Sequence, residues 1–203
     1  MTKTDDLTGV HVEGHIKIHN PETGHVFINK RNAIHYENMS IALAESLGNA
    51  GQGFIYEMAF GNGGTSVDPT GIITYLTPNS TGTNASLYNK TYSKVVDDRS
   101  VNNVDPTRNK IETRHVSGTN YTDIVVSCLL DYGEPDGQDA FDTASDTDQQ
   151  FVFDELGLVS YADTEENKRL ITHVIFHPVQ KSLNRLIQID YTVRVQSLSG
   201  GNS

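Results

Sequence analysis

The histidines are the residues whose spacing first suggests chemistry. His11, His15 and His19 lie four apart, and His173 and His177 repeat the interval. On a helix that interval stacks imidazoles on one face, where they could share a metal. The neighbouring residues indicate a different period. Val10, Val12, Ile16 and Ile18 alternate with His11, Glu13, His15, Lys17 and His19, which is the period of a strand. Residues four apart on a strand are about 13 Å apart along the chain. One ion cannot hold two of them, so they read as a polar strand face and no metal ligand is assigned.

Gly61-Asn62-Gly63-Gly64-Thr65 invites comparison with phosphate-binding loops. It lacks the Lys-Ser/Thr of a P-loop and the spacing of a dinucleotide fingerprint. No helix is expected directly after it to offer its N-terminus. It reads as a sharp open turn.

Acidic residues are unevenly placed. Between His115 and Asn167 there is no Lys or Arg, yet 13 of the 26 acids lie there. Asp131, Glu134, Asp136, Asp139, Asp142, Asp146 and Asp148 share one loop. Calcium takes several oxygen ligands, but the EF-hand spacing and its closing Glu are missing. The loop reads as solvated, or as a docking surface for a basic neighbour. No carboxylate pair stands out for glycoside hydrolysis. Nucleophile-elbow, zinc-protease and Cys–His patterns are absent. The expectation is a chain with no catalytic, cofactor-binding or metal-binding residue, and not an enzyme.

The elements that must position these residues are mostly strands. Ile187, Ile189, Tyr191, Val193 and Val195 alternate with Gln188, Asp190, Thr192, Arg194 and Gln196. That marks a long strand over 185–196 with one buried face. Residues 10–28 form a hairpin around Asn20-Pro21-Glu22-Thr23-Gly24. A helix is expected over 32–47, capped by Asn32, with Tyr36, Met39, Leu43 and Leu47 as its apolar stripe. Further strands are expected at 54–60, 111–116, 122–132, 151–154 and 170–176, with 178–184 as the last connection. Residues 61–110 form a long loop excursion, rich in Gly, Asn, Thr and Ser. The tail 197–203 reads as frayed. The fold expected is mainly β: an antiparallel, jelly-roll-like β-sandwich over residues 1–203 with one packed α-helix.

Bulk properties narrow the function. The chain has 203 residues, a net charge of −11 and a pI near 5.0. Such a surface repels nucleic acid and anionic lipid. No stretch is apolar enough for a membrane span, and the start of the chain lacks the apolar core of a signal peptide. The single Cys128 sits in an apolar run and reads as a buried, inert thiol.

Five stretches together carry a resemblance: residues 14–26 (GHIKIHNPETGHV), 30–40 (KRNAIHYENMS), 60–71 (FGNGGTSVDPTG), 117–126 (SGTNYTDIVV) and 173–185 (HVIFHPVQKSLNR). The chain resembles virion structural proteins of tailed bacteriophages, particularly contractile-tailed phages of marine cyanobacteria. The helix followed by a strand ending in Phe-Gly-x-Gly-Gly also looks like modules of phage neck, tail and fibre-attachment proteins. The resemblance implies a non-enzymatic structural subunit, made in the host cytoplasm and built into the virion at the head–tail neck or tail. It implies a homo-oligomeric ring or repeated copies, with other virion proteins as partners. A capsid decoration protein and a carbohydrate-binding module of a tail appendage are the alternatives. The resemblance supplies no catalytic residue.

Overall fold

The structure is a computed structural model that describes residues 9–135 and 150–198. The acids from Asp136 to Asp148, and the chain beyond Leu198, lie outside the described residues. In order, the elements are β1 (Gly9–His19), β2 (Val26–Arg31), β3 (Ala33–Ile34), α1 (Tyr36–Leu47), β4 (Ile55–Gly61), β5 (Thr65–Val67), β6 (Ile73–Tyr75) and β7 (Lys90–Val95). They continue with β8 (Lys110–His115), β9 (Tyr121–Leu130), β10 (Gln150–Ser160), β11 (Thr172–Ser182) and β12 (Ile187–Leu198).

Two antiparallel five-stranded sheets result, ordered β2-β1-β12-β9-β8 and β3-β11-β10-β4-β7. Strands β5 and β6 form a separate hairpin. One apolar cluster draws on both sheets. Ile16, Ile18, Val126, Cys128, Ile187, Ile189 and Tyr191 meet Met58, Phe60, Phe151, Phe153, Leu156 and Phe176. The protein is therefore a mainly β antiparallel sandwich with one packed helix, as its alternating sequence predicts. In β12 four of the five expected inward residues, Ile187, Ile189, Tyr191 and Val193, are fully buried, and Val195 is half-buried. Burial pushes the Cys128 thiol up to about 12, which suits an inert side chain.

Several boundaries differ from expectation, each for a physical reason. The helix starts at Tyr36, not Asn32, because Ala33 and Ile34 first pair with His173 and Thr172 of β11. Its N-cap is His35, whose Nδ1 accepts from the Asn38 amide at 3.1 Å. The buried helix face is Asn38, Met39 and Ala42, whereas Tyr36 and Leu47 of the expected stripe are exposed. Strand β11 runs on through Pro178 to Ser182, where a connection was expected, because β10 extends far enough to pair with it. The excursion 61–110 is more regular than expected. It holds β5 and β6, and it supplies β7 as an edge of the second sheet.

The excursion also covers the outer face of that sheet. Ala59, Leu87 and Leu170 form a second small apolar cluster there, joined by Ala85 and Val159. Strands β4, β10 and β11 thus lose both faces to the interior, which is why their sequences do not alternate cleanly.

Candidate functional site

Under the excursion lies a group of buried polar side chains that includes Asp154, Glu155 and His173. Its origin is an irregularity in β10. The β10–β11 register shifts between Phe153 and Glu155. Phe153 and Leu156, three apart, both face the core. The two residues between them, Asp154 and Glu155, consequently share the outer face, a placement that regular pleating forbids.

The two carboxylates grip the glycine-rich loop. Asp154 accepts from the amides of Gly64 at 2.9 Å and Thr65 at 2.8 Å, and from the Thr65 hydroxyl. Glu155 Oε1 accepts from the amides of Gly63 at 3.1 Å and Asn89 at 2.8 Å. Its Oε2 accepts from the Tyr88 amide at 2.9 Å and meets His173 Nε2 at 3.0 Å. The glycines are there to allow close approach. A Cβ on Gly61 would lie 2.5 Å from Glu155 Oε1 and 2.4 Å from the Asn89 carbonyl oxygen. One on Gly64 would lie 3.1 Å from Asp154 Oδ1.

Two buried histidines extend the grip along the excursion. His173 Nδ1 accepts from the Asn79 amide at 2.8 Å. With that nitrogen an acceptor, the ring proton is on Nε2 and is donated to Glu155. In His35, Nδ1 is taken by the helix cap, so Nε2 donates to the Gly82 carbonyl at 3.0 Å. Both rings are fully buried.

The electrostatics of the neighbouring acids diverge. Burial raises Asp154 above its ordinary value, and its bonds from Thr65 and Gly64 only partly offset that. Burial acts on Glu155 in the same sense, but the bonds from His173, Asn89, Tyr88 and Gly63 together outweigh it and lower its pKa. A third buried acid, Glu57, lies on the same sheet face and pairs with Lys90 at 3.2 Å and Lys168 at 3.1 Å.

A Glu–His pair beside a second carboxylate could in principle transfer protons. Here its valences are spent. Each Glu155 oxygen carries two donors, and both nitrogens of His173 are engaged, which leaves no lone pair or proton for a substrate. The glycine-rich loop does cradle anions through its amides, but the anions are the chain's own carboxylates. The constellation acts as a clasp that fastens residues 61–89 to the sheet.

The other sequence candidates do not assemble. His11 and His15 are exposed along β1, and His19 bonds Asp190 at 3.0 Å. His177 lies exposed, against the Tyr75 hydroxyl. Among the described residues no three His, Cys, Asp or Glu side chains come together as a metal would require. Nothing local in the sequence marks Asp154, Glu155 or His35 as part of a site. The available signal was an Asp-Glu pair inside an apolar strand together with a glycine run in need of acceptors.

A second feature is an apolar cleft of about 490 Å³ at one end of the sandwich. Met39, Leu43, Ile111, Ile124, Val193 and Val195 line it, and Asp97, Asp98 and Arg99 stand with them in its wall. Compared with protein-family models, curated proteins and solved structures, the chain matches none.

Proposed function

We propose that the protein is a non-enzymatic structural subunit of a tailed-phage virion, present as repeated copies at the head–tail neck or on the tail. The observation that carries this reading is the clasp. The buried carboxylates and histidines of the outer layer serve the chain's own backbone, and their effect is to hold a long excursion rigidly on a sheet. The excursion then turns apolar side chains outward. Val67 and Ile72 are each 63% exposed and Tyr75 is 50% exposed. Rigid modules with ordered, apolar projections suit assembly between copies, where flexible loops would have to be ordered first. The partners are further copies of this chain and other virion proteins, met after synthesis in the host cytoplasm.

The test has two arms. Analytical ultracentrifugation of the purified chain should give a defined oligomer. Cryo-electron microscopy of purified particles should place its density in a repeated ring or array at the neck or tail. Absence of the chain from purified particles would overturn the virion reading.

A further inference from the structure

The glycine turn held by the clasp contains a chemically labile pair. Asn62-Gly63 is the only Asn-Gly step in the chain. In such a step the glycine nitrogen can attack the side-chain carbonyl carbon of the asparagine before it, because glycine has no Cβ to shield that nitrogen. The surroundings leave no room for a less reactive residue. A Cβ on Gly63 would lie 2.7 Å from Tyr88 Cβ and 2.8 Å from the Asn89 nitrogen, so only hydrogen fits.

While closed, the clasp restrains both ends of the bond that would form. The Gly63 amide donates to Glu155 Oε1 at 3.1 Å. Attack requires that amide to give up its proton, and the carboxylate both holds the proton and disfavours the anion left behind. Asn62 is held by Asn89, whose Nδ2 donates to Asn62 Oδ1 at 2.6 Å and whose carbonyl accepts from the Asn62 amide at 3.1 Å. The same Glu155 oxygen accepts from the Asn89 amide at 2.8 Å, so nucleophile and electrophile are pinned through one carboxylate. Asn62 Nδ2 is buried and has no hydrogen-bond partner among the described residues. That is the nitrogen the reaction expels.

We infer that Asn62-Gly63 is a modification site gated by the clasp: silent while the clasp is closed, and deamidated once the excursion lifts, after which the clasp does not re-form as before. The Gly63 nitrogen bonds to Asn62 Cγ as its proton passes to hydroxide. The Cγ–Nδ2 bond breaks, and Nδ2 takes a proton from water and leaves as ammonia. Water then opens the resulting succinimide at either carbonyl, giving aspartate or isoaspartate. The isoaspartate product carries an extra backbone atom between the α-carbon of residue 62 and the Gly63 nitrogen. It therefore displaces the amides of Gly63, Gly64 and Thr65, which Glu155 and Asp154 hold at 3.1, 2.9 and 2.8 Å. The aspartate product puts a charged oxygen in the buried position of Nδ2, which costs desolvation. The site thus records whether the excursion has ever opened. Neither step depends on the virion assignment.

The test incubates the full chain in mildly alkaline buffer and reads aspartate and isoaspartate at position 62 by mass-spectrometric peptide mapping. The native chain should be modified on the order of tenfold or more slowly than the same chain in urea, since only the open population reacts. Glu155→Ala should be modified on the order of tenfold faster than the natural chain while still folded, the change in open population expected from losing a charged acceptor. If that variant does not fold, the natural chain in denaturant below its unfolding transition gives the same reading, and modification should accelerate before the core strands exchange. A position 62 that stays asparagine in urea would overturn the site itself. Native modification as fast as in urea would overturn the gating, and so would a rate that neither Glu155→Ala nor low denaturant changes. Chain modified in urea and refolded should show on the order of tenfold faster hydrogen exchange at residues 63–65 and 88–89 than unmodified chain taken through the same steps. Equal exchange in the two would overturn the loss of the clasp.

Discussion

Glu155 and Gly61 face each other across the β10–β4 pair, and the Glu155 carboxylate fills the space a side chain on Gly61 would need. The glycine is therefore a steric requirement of the acid. Gly61→Ala should destabilise the protein by about 1–3 kcal/mol, as overpacking of a dense site does. Chemical denaturation would measure it, and an unchanged midpoint would show that the loop relaxes freely.

Removing the acid should do more. Glu155→Ala strands three amides and the His173 N–H in the interior, a loss of roughly 3–5 kcal/mol. Hydrogen exchange should rise first at residues 63 and 88–89, before the core strands open. Uniform acceleration across the whole chain would show that the excursion and the sandwich unfold as one unit.

Acid should act on the two carboxylates in opposite directions. The Glu155 pKa lies below the ordinary 4.5, so its contribution is complete above 4.5 and is lost as pH falls through its folded value. The Asp154 pKa lies above the ordinary 3.8, so its contribution is present below 3.8 and is lost as pH rises through its folded value. Stability measured against pH should fall less steeply on the acid side in Glu155→Gln than in the natural chain. In Asp154→Asn the acid side should fall more steeply. Parallel curves for all three proteins would contradict both assignments.

On the helix, Met39→Asp should prevent folding, because Met39 is buried against the core and a charge there would have no partner. Leu43→Asp should be milder, since Leu43 is only half buried and borders the cleft. Circular-dichroism melting of the two variants would rank them, and the reverse order would mean the helix is rotated.

Cys128 should not react with thiol reagents in the native protein. Full burial and a thiol pushed up to about 12 leave almost no thiolate at neutral pH. Modification should appear only in denaturant, with the same midpoint as unfolding. Rapid labelling of native protein would place the residue at the surface.

The sandwich could be read from sequence where one sheet face is buried and the other wet. Strands β1 and β12 met that condition. Strand β10 did not, because the excursion buries its outer face and the irregularity at Asp154 breaks the period, so only 151–154 of it was visible. The clasp was hidden for a different reason. Gly64 and Asp154 are 90 residues apart, and no local rule connects a glycine turn to the acids that hold it. His173 is legible in the sequence only as one of a pair with His177, and its role depends on burial, which spacing does not encode. His35 looked like part of a helix because the two-residue strand before it is too short to leave a pattern.

The pairing of β1 with β12 also sets an order of events during synthesis. His19 bonds Asp190 across 171 residues. At about 5–20 residues per second, the first strand waits on the order of ten to thirty seconds before the last leaves the ribosome. Until β12 arrives, the edge of β1 opposite β2 has no strand to pair with, and until β10 is made the amides of the glycine turn lack the carboxylates that accept from them. The second sheet can close once β10 and β11 are made, but the first waits for β12 to reach β1, and exposure to misassociation is greatest while the chain is still tethered and incomplete.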